Sequence, residues 1–412
     1  MTIRMDSLIK VIANALDIVE GELIGVSTNH SKRVAVLCAK MGKILGKNPN
    51  EITALTVCAM LHDNALTEYT LSEIIGNHHD PAMRKHCEFG QRNIDTLNLK
   101  TNVKDFILYH HERPNGKGPF GKIEGECPLE AELISIADSI DMSFHLQRLE
   151  QKGLSSIRQL IEQRTGEYYS KLAAQALLEV LNWDTILSIK DDAINETAQT
   201  SIEPWIVDVE TDTIFGLACF MAKIIDCKSV FTQVHSTQIA NRTWFMSGYY
   251  KKDPAERAKL YLAASLHDIG KLAIPTAILE KPGKLDHDEF EIIKTHISLT
   301  YEWLKDIEGF SDICNWASNH HEKLKGGGYP FGKKGEDLDF NSRLLACIDI
   351  YQAVSEKRPY HRARNHSDTM KILYEAADNG EIDSQIVKDL DIAFAPYDGK
   401  ELPQPLPQNC PY

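Results

Sequence analysis

The stretch Leu260-Tyr-Leu-Ala-Ala-Ser-Leu-His-Asp-Ile-Gly-Lys271 is an apolar helical run that ends in a histidine–aspartate pair and a glycine–lysine pair. Leu262 and Leu266 lie about one helical turn apart, so the sequence predicts that His267 and Asp268 stand at the edge of a buried core. Carboxylates are seldom fully buried unless they are paired or bind a metal. Taken alone, the dipeptide fits a hydrogen-bonded structural pair best, and a metal site requires further ligands.

Four further histidines and one aspartate in the C-terminal half complete a candidate ligand set. They lie in or beside segments with helical periodicity, namely His235, His296, His320, His321 and Asp349. The helices of a bundle can each direct one side chain to a shared point. Seven ligands are too many for one tetrahedral zinc, whereas five imidazoles and two carboxylates suit two octahedral or near-octahedral transition-metal ions bridged by Asp268.

The order of these residues resembles the HD phosphohydrolase superfamily. Two further stretches, His320-His-Glu-Lys-Leu-Lys-Gly-Gly-Gly-Tyr-Pro330 and Arg358-Pro-Tyr360, resemble its HD-GYP branch. Gly328-Tyr-Pro330 at this distance from the histidine doublet is a specific signal. The resemblance covers about residues 215–390 most strongly and implies an all-helical domain that hydrolyses cyclic dinucleotides.

The N-terminal half repeats the same pattern, which indicates a tandem duplication. The matching side chains are His30, His62, Asp63, His86, His110, His111 and Asp138. In both copies the first two histidines are 32 residues apart, and the third and fourth are 24 residues apart. Random scatter of histidines would hardly produce two such sets.

The N-terminal copy keeps the ligands but lacks groups that would handle a substrate. His62-Asp-Asn-Ala-Leu66 has leucine in place of the lysine of His267-Asp-Ile-Gly-Lys271, and Gly118-Pro-Phe120 stands in place of Gly328-Tyr-Pro330. The copy is either a second metal site or nucleotide sensor, or a decayed domain that serves dimerisation or support. Its losses favour a copy without catalytic activity.

We therefore expect an all-α protein with two tandem HD-type helical bundle domains. The expected boundaries are a degenerate N-terminal HD domain at 1–195, a linker at 196–204, a catalytic HD-GYP domain at 205–395 and a proline-rich tail at 396–412. The polar run that ends at Pro204 marks the boundary between the domains. A short strand is expected within Trp205-Ile-Val-Asp-Val209, and the first helix is expected to break at Gly21 and Gly25.

The resemblance also implies which side chains hold each ion. One ion would be bound by His235, His267, Asp268 and Asp349, and the other by Asp268, His296, His320 and His321. Iron or manganese suits such a histidine-rich pair better than nickel, cobalt or zinc. In several HD-GYP proteins a glutamate four residues before the first histidine supports a third ion. That position is Phe231 here and Val26 in the other copy, so two divalent ions are expected.

Other side chains are expected to act on the substrate. The predicted catalytic residues are Asp268 and Lys271, and the predicted substrate contacts are Lys271, Tyr329, Gln352, Arg358 and His361. Lys271 would meet a phosphate oxygen or the leaving group, and Arg358 would hold two oxygens of the second phosphate. Glu322 is expected to orient an imidazole.

The residues that depart from the family pattern concern specificity. Gln352 stands where the family commonly has an aspartate, and an amide does not read the same guanine edge as a carboxylate. Tandem HD proteins that cleave 3′3′-cyclic GMP-AMP share this architecture. Both that molecule and cyclic di-GMP are therefore candidate substrates.

Composition restricts the partners. The formal net charge of −14 repels polyanions, so we expect no binding to DNA or RNA. The N-terminus lacks a basic region followed by an apolar one, and no apolar run of about 18 residues occurs. We expect a soluble, cytoplasmic protein without a membrane partner that can form a homodimer. Two other hypotheses stay open, a non-catalytic receptor for a cyclic dinucleotide and a general HD nucleotidase.

Overall fold

The computed structural model describes the chain except residues 1, 26, 66–80, 98, 100, 191, 227, 229–234, 357–363, 399, 401 and 403–412. The described residues are mostly helical, which confirms the predicted all-α class. The chain forms two compact units, one comprising Met5–Ile206 and the other Met1–Arg4 together with Val207–Tyr412.

The first unit is a bundle of helices that pack around the second helix of the chain. In order they are α1 (Met5–Ile24), α2 (His30–Ile44), α3 (Pro49–Met60), α4 (Pro81–Asp95), α5 (Leu129–Phe144), α6 (Leu154–Arg164), α7 (Lys171–Val180), α8 (Trp183–Ser188) and α9 (Ile194–Thr200). Helix α2 packs against α3, α5 and α7. The segment predicted as a linker, 196–204, thus includes most of α9.

Local sequence explains where these helices begin, and packing explains where one of them continues. Asn48 and Glu51 form a capping box at the start of α3, with Pro49 at the first helical position. The predicted break at Gly21 is wrong, because α1 continues to Ile24, whereas the break predicted at Gly25 is confirmed, since Gly25 follows the helix with a φ of 69°. Burial of an apolar face along α1 outweighs the helix-weakening effect of one glycine.

The second unit repeats this arrangement. Its helices are α10 (Thr211–Asp226), α11 (His235–Tyr249), α12 (Pro254–Leu266), α13 (Thr276–Leu279), α14 (His287–Leu304), α15 (Ser311–Ser318), α16 (Phe340–Ser355), α17 (His366–Asp378) and α18 (Ser384–Phe394). Helix α11 packs against α12 and α16, as α2 packs against α3 and α5 in the first unit. The duplication predicted from the histidine intervals is therefore also a duplication of helix packing.

A two-stranded sheet begins the second unit. Strand β1 (Thr2–Arg4) pairs with β2 (Ile206–Asp208), which lies within the segment predicted as a strand. Thr2 Oγ1 donates a hydrogen bond of 2.6 Å to Asp208 Oδ1. Within the described part of the predicted tail, Ala395–Tyr397 forms a 3-10 helix. Among the helices that the structure describes, none combines the length and apolar character needed to cross a membrane.

The stretch from Leu260 to Lys271 forms part of the core beside the candidate site. Asp253 caps α12 by accepting hydrogen bonds from two backbone N–H groups, and the residues from Leu260 to Leu266 are buried. A 3-10 helix, Ile269–Ala273, follows directly and packs against α14. A Cβ atom added at Gly270 would lie 1.9 Å from the carbonyl oxygen of His296. Glycine is required here because the two backbones approach so closely.

Candidate metal centres

Each predicted ligand of the second unit lies at a helix end or on an inward helix face. His235 is the first residue of α11, His267 and Asp268 follow the last residue of α12, and His296 lies within α14. His320 and His321 follow α15, and Asp349 lies within α16. Five separate helices thus deliver the seven side chains.

These side chains meet in two adjoining groups. The ligand atoms of His235, His267 and Asp268 lie within 4.8 Å of one another, and those of His296, His320 and His321 form a second such group. Asp349 Oδ1 joins the first group, at 3.7 Å from His235 Nε2 and 3.9 Å from His267 Nε2.

Asp268 lies between the two groups and faces each with a different oxygen. Its Oδ2 is 3.1 Å from His267 Nε2 and 3.7 Å from His235 Nε2. Its Oδ1 is 3.2 Å from His296 Nε2 and 4.0 Å from His320 Nε2. This is the arrangement that a carboxylate bridging two cations requires.

Backbone carbonyls fix the orientation of three imidazoles. In each case Nδ1 donates to the carbonyl oxygen three residues earlier: His267 to Ala264 at 2.7 Å, His296 to Ile293 at 2.5 Å and His320 to Ala317 at 2.6 Å. With Nδ1 protonated, the Nε2 lone pair of each ring points to the centre. The ring of His235 is held differently, because its Nδ1 lies 3.0 Å from the carboxylate of Glu356.

The buried polar atoms at the centre fit bound cations. The Nε2 atoms of His235, His267, His296 and His320 and Oδ1 of Asp268 are buried and have no hydrogen-bond partner among the described residues. Each such atom would cost free energy if it had no ligand. Burial and the neighbouring imidazole of His321 hold the pKa of His320 well below its ordinary value, which favours the neutral ring that binds metals. Burial opposes ionisation of Asp268, yet His267 and Lys271 hold its pKa well below the usual range.

The predicted substrate-handling residues are close to this centre where the structure describes them. Lys271 Nζ lies 2.5 Å from Asp268 Oδ2, and the ring of half-buried Tyr329 lies 4.9 Å from the ring of His321. Gln352 is buried one helical turn after Asp349. Arg358 and His361 lie outside the described residues, as do Phe231 and Val26, the positions that bear on a third ion.

The expectation for Glu322 is wrong. Its Oε1 accepts a hydrogen bond of 2.7 Å from the backbone N–H of Phe331, and no imidazole is its hydrogen-bond partner among the described residues. A Cβ atom added at Gly328 would lie 2.5 Å from the Cα atom of Glu322. Glu322 therefore anchors the loop that carries Tyr329, and glycine allows that loop to fold back closely.

The first unit contains a corresponding pair of groups. One consists of Asp63, His86, His110 and His111, and the other of His30, His62 and Asp138. Asp63 Oδ1 is 3.1 Å from His86 Nε2, and its Oδ2 is 3.5 Å from His62 Nε2. The Nε2 atoms of His30, His62, His86 and His110 are again buried, and the part of the first unit that the structure describes offers them no hydrogen-bond partner. The donor set fits cations in this unit too.

The surroundings of the first histidine differ between the units. In the first unit Asp141 accepts hydrogen bonds from His30 Nδ1 at 2.6 Å and from Arg33 Nε at 2.8 Å. In the second unit the position of Asp141 is Gln352, and Glu356, which directly follows the last residue of α16, binds the histidine instead. Sequence reasoning missed both carboxylates. Their positions three and seven residues after the last ligand, on the same helix face, were the available signal.

Comparisons with known proteins agree with this geometry. Two family models, each described as an HD domain, match residues 28–143 and 220–386. The chain is 27% identical over 390 residues to 3′3′-cGAMP-specific phosphodiesterase 1 of Vibrio cholerae, covering 91% of this chain and 88% of that protein. It is 30% identical over 314 residues to 3′3′-cGAMP-specific phosphodiesterase 3 of the same organism, covering 74% and 67%.

A solved structure shares the fold. The crystal structure of a cyclic GMP-AMP-specific phosphodiesterase from Vibrio cholerae superposes with a TM-score of 0.64 at 21% sequence identity, over 96% of this chain and 98% of that chain. At this identity the likeness concerns the helical architecture alone.

Proposed function

The chain belongs to the HD-domain family, and on this premise we propose that it is a metal-dependent phosphodiesterase that hydrolyses a cyclic dinucleotide to a linear dinucleotide. One observation carries the proposal. The two oxygens of Asp268 face two groups of buried imidazoles, and the Nε2 atoms of four of these rings have no hydrogen-bond partner within the described part of the chain. Divalent ions held by these side chains would satisfy all of these atoms.

The residues of the candidate site have distinct roles in the proposed hydrolysis. Divalent ions bound by His235, His267, Asp268, His296, His320, His321 and Asp349 would activate a water molecule and stabilise charge on the phosphoryl oxygens. Lys271 holds its ammonium group beside Asp268, where it can donate a hydrogen bond to a phosphate oxygen or a proton to the leaving oxygen. Carbonyl hydrogen bonds keep three of the rings in the tautomer that directs Nε2 inward.

The proposed substrate is 3′3′-cyclic GMP-AMP, with cyclic di-GMP as the other candidate. Two relatives that align with most of the chain are named as 3′3′-cGAMP-specific. Gln352 supports the mixed dinucleotide, because a carboxylate at this position would accept from the guanine N1 and N2 donors whereas an amide both donates and accepts. Tyr329 would line the base pocket, and Arg358 and His361 are proposed to contact the second phosphate.

The finer features of the protein are part of the proposal. Iron or manganese suits the imidazole-rich sites better than nickel, cobalt or zinc. The first unit is proposed to hold metal at His30, His62, Asp63, His86, His110, His111 and Asp138 without catalysing hydrolysis, since its sequence lacks the lysine and the Gly-Tyr-Pro motif. The negative net charge supports a cytoplasmic protein that does not bind DNA or RNA. We also propose that the protein forms a homodimer.

Hydrolysis by purified, manganese-supplied protein tests the function. We expect 3′3′-cyclic GMP-AMP, cyclic di-GMP or both to be converted to linear dinucleotides identified by chromatography, and Asp268→Ala to convert neither. If both substrates stay intact while a control phosphodiesterase cleaves them, the proposal is wrong. Binding without hydrolysis would indicate a receptor instead, and cleavage of mononucleotides in preference would indicate a general nucleotidase.

A further inference from the structure

A cavity of about 540 Å³ lies next to the metal ligands of the second unit. The cavity wall includes Gln352 of α16, Glu356 directly after the end of that helix, and Gln238 and Arg242 of α11. Because Glu356 also contacts His235 Nδ1, the cavity begins directly behind one of the metal ligands. The residues that line the cavity do not include the metal ligands. The cavity wall can therefore contact a part of the substrate that the metal ligands do not hold.

The side chain of Arg242 is fixed at this wall by contacts that involve only part of its guanidinium group. Its Nε donates a hydrogen bond of 2.6 Å to Gln352 Oε1. Its guanidinium lies 4.8 Å from the ring centre of Tyr351 and 5.3 Å from that of Phe394. Within the part of the chain that the structure describes, neither Nη atom of Arg242 has a hydrogen-bond partner. Two parallel N–H donors are therefore fixed in orientation by two aromatic rings and one amide.

The first unit has no such free cation at the corresponding place. Arg33, three residues after the first histidine, is fully buried and donates through Nε and Nη2 to Asp141. The residue seven after that histidine is Leu37, which is also fully buried. In the second unit the corresponding residues are Gln238 and Arg242. The arginine of the second unit therefore lies one helical turn further along the helix that begins with the first histidine. It lines the cavity, whereas Arg33 forms a buried ion pair.

Gln352 completes this change. It replaces the aspartate that neutralises the arginine in the first unit, and it donates through Nε2 to Gln238 Oε1. Two neutral amides therefore stand where the first unit has an ion pair. The Arg242 guanidinium is hydrogen-bonded to an amide rather than to a carboxylate, so it keeps its full charge for an incoming acceptor.

We infer that Arg242 is a specificity-determining residue that binds the guanine of the cyclic dinucleotide through the base O6 and N7 atoms, an inference that rests on the proposed function. A guanidinium fork matches these two acceptors, which lie in one plane, and this is the commonest specific contact between arginine and a base. Adenine presents an N6 amino donor in place of O6, so it would oppose the arginine donors. The cavity therefore selects a dinucleotide with at least one guanine.

A substrate lacking only N7 tests this inference. The kcat/KM of the intact protein is measured for 3′3′-cyclic GMP-AMP and for the analogue in which 7-deazaguanine replaces guanine. We expect the analogue to be about 10- to 100-fold worse for the wild type, because it loses one of the two hydrogen bonds to the charged guanidinium. Arg242→Leu, which introduces the residue that α2 carries at Leu37, is expected to lower kcat/KM for the normal substrate and to process the two compounds equally.

Two controls allow the kinetic result to be interpreted even if the substitution disturbs folding or metal binding. Metal content and circular dichroism report whether Arg242→Leu is folded and loaded, and Arg242→Met provides a second neutral variant of similar length. An unchanged ratio between the two compounds in both variants, or a wild type that does not distinguish them, overturns the role of Arg242. Failure of the wild type to cleave any cyclic dinucleotide would instead overturn the proposed function.

Discussion

The two HD domains have the same ligand framework but different surroundings for it. In both, the first histidine begins a helix, a histidine–aspartate pair follows the next helix, and the last aspartate lies inside a later helix. In both, the second and fourth imidazoles donate Nδ1 to a carbonyl three residues earlier. The framework is thus set by a few helix ends and does not depend on the residues that handle a substrate.

The differences are concentrated beside the histidine–aspartate pair and the first ligand helix. The second domain has Gly270 and Lys271 where the first has Ala65 and Leu66. It also has a free arginine edge at a cavity where the first has a buried ion pair. The comparison shows that the candidate ligand groups form in both domains whether or not the predicted substrate-handling residues are present, and the following predictions test whether metal binding and substrate handling are separable.

The largest expected difference concerns the bridging aspartates. Asp268→Ala should lower kcat by at least about 10³-fold and remove metal from the second domain, because both ions lose their shared carboxylate. Asp63→Ala should remove metal from the first domain while kcat falls by less than about tenfold. Steady-state kinetics with elemental analysis of each variant measures both effects. Equal loss of activity in the two variants would show that the domains act as one catalytic unit.

The next difference is in stability. Asp141→Asn leaves Arg33 buried without its counter-ion, and breaking a buried ion pair in this way costs about 3–5 kcal/mol. The change at the corresponding position of the second domain, Gln352→Ala, removes the hydrogen bonds of a buried amide to Arg242 and Gln238 but breaks no ion pair, and it should cost about 1–3 kcal/mol. Denaturant unfolding monitored separately in each domain by hydrogen exchange compares them. If the two costs in free energy of unfolding are alike, Asp141 does not stabilise the first domain as the counter-ion of Arg33.

A smaller effect is expected from the lysine that distinguishes the two motifs. Lys271→Leu makes the second domain resemble the first and should lower kcat about 10²-fold, because a donor beside the reacting phosphate is lost. Metal content should be retained, since Lys271 is not a ligand. Leu66→Lys in an Asp268→Ala background is the reciprocal control and should show no hydrolysis. Restored activity there would mean that lysine alone separates the domains.

The smallest effect tests a feature that the domains share. Asp17 Oδ1 and Asp226 Oδ1 each accept the backbone N–H of the serine after the first histidine, at 2.9 and 3.1 Å. Burial raises the pKa of Asp17, and burial raises that of Asp226 to about 7. A raised folded-state pKa gives a contribution to stability that is complete below about pH 4 and is lost as pH rises through about 7.

Replacement by asparagine should remove this pH dependence. In chelator-treated protein, Asp226→Asn should unfold at a higher temperature than wild type at pH 8, with a difference that shrinks as pH falls and disappears below about pH 4. Each kcal/mol gained raises the melting temperature by about 2–4 °C in a domain of this size. Calorimetry of Asp226→Asn and Asp17→Asn should give the same sign in both domains. A stabilisation that grows as pH falls would contradict the assignment.

The sequence alone predicted the parts of the protein that depend on local spacing. Histidine intervals identified the duplication and brought out all fourteen side chains that the structure gathers into metal-binding groups or places beside them. Helical periodicity predicted the all-α class, because an apolar face repeats every few residues along the chain. The break at Gly21 was predicted wrongly, since propensity is local and the buried face of α1 is held by other helices.

Tertiary structure alone decided which neighbours surround each ligand. Glu356 holds His235 across 121 positions of sequence, Arg242 meets Gln352 across 110, and Glu322 binds the backbone of its own loop rather than an imidazole. The physical reason is that such pairs form wherever two helix faces happen to meet. No periodicity within either helix specifies the partner, so the contacts between α11 and α16 had to be seen in the folded chain.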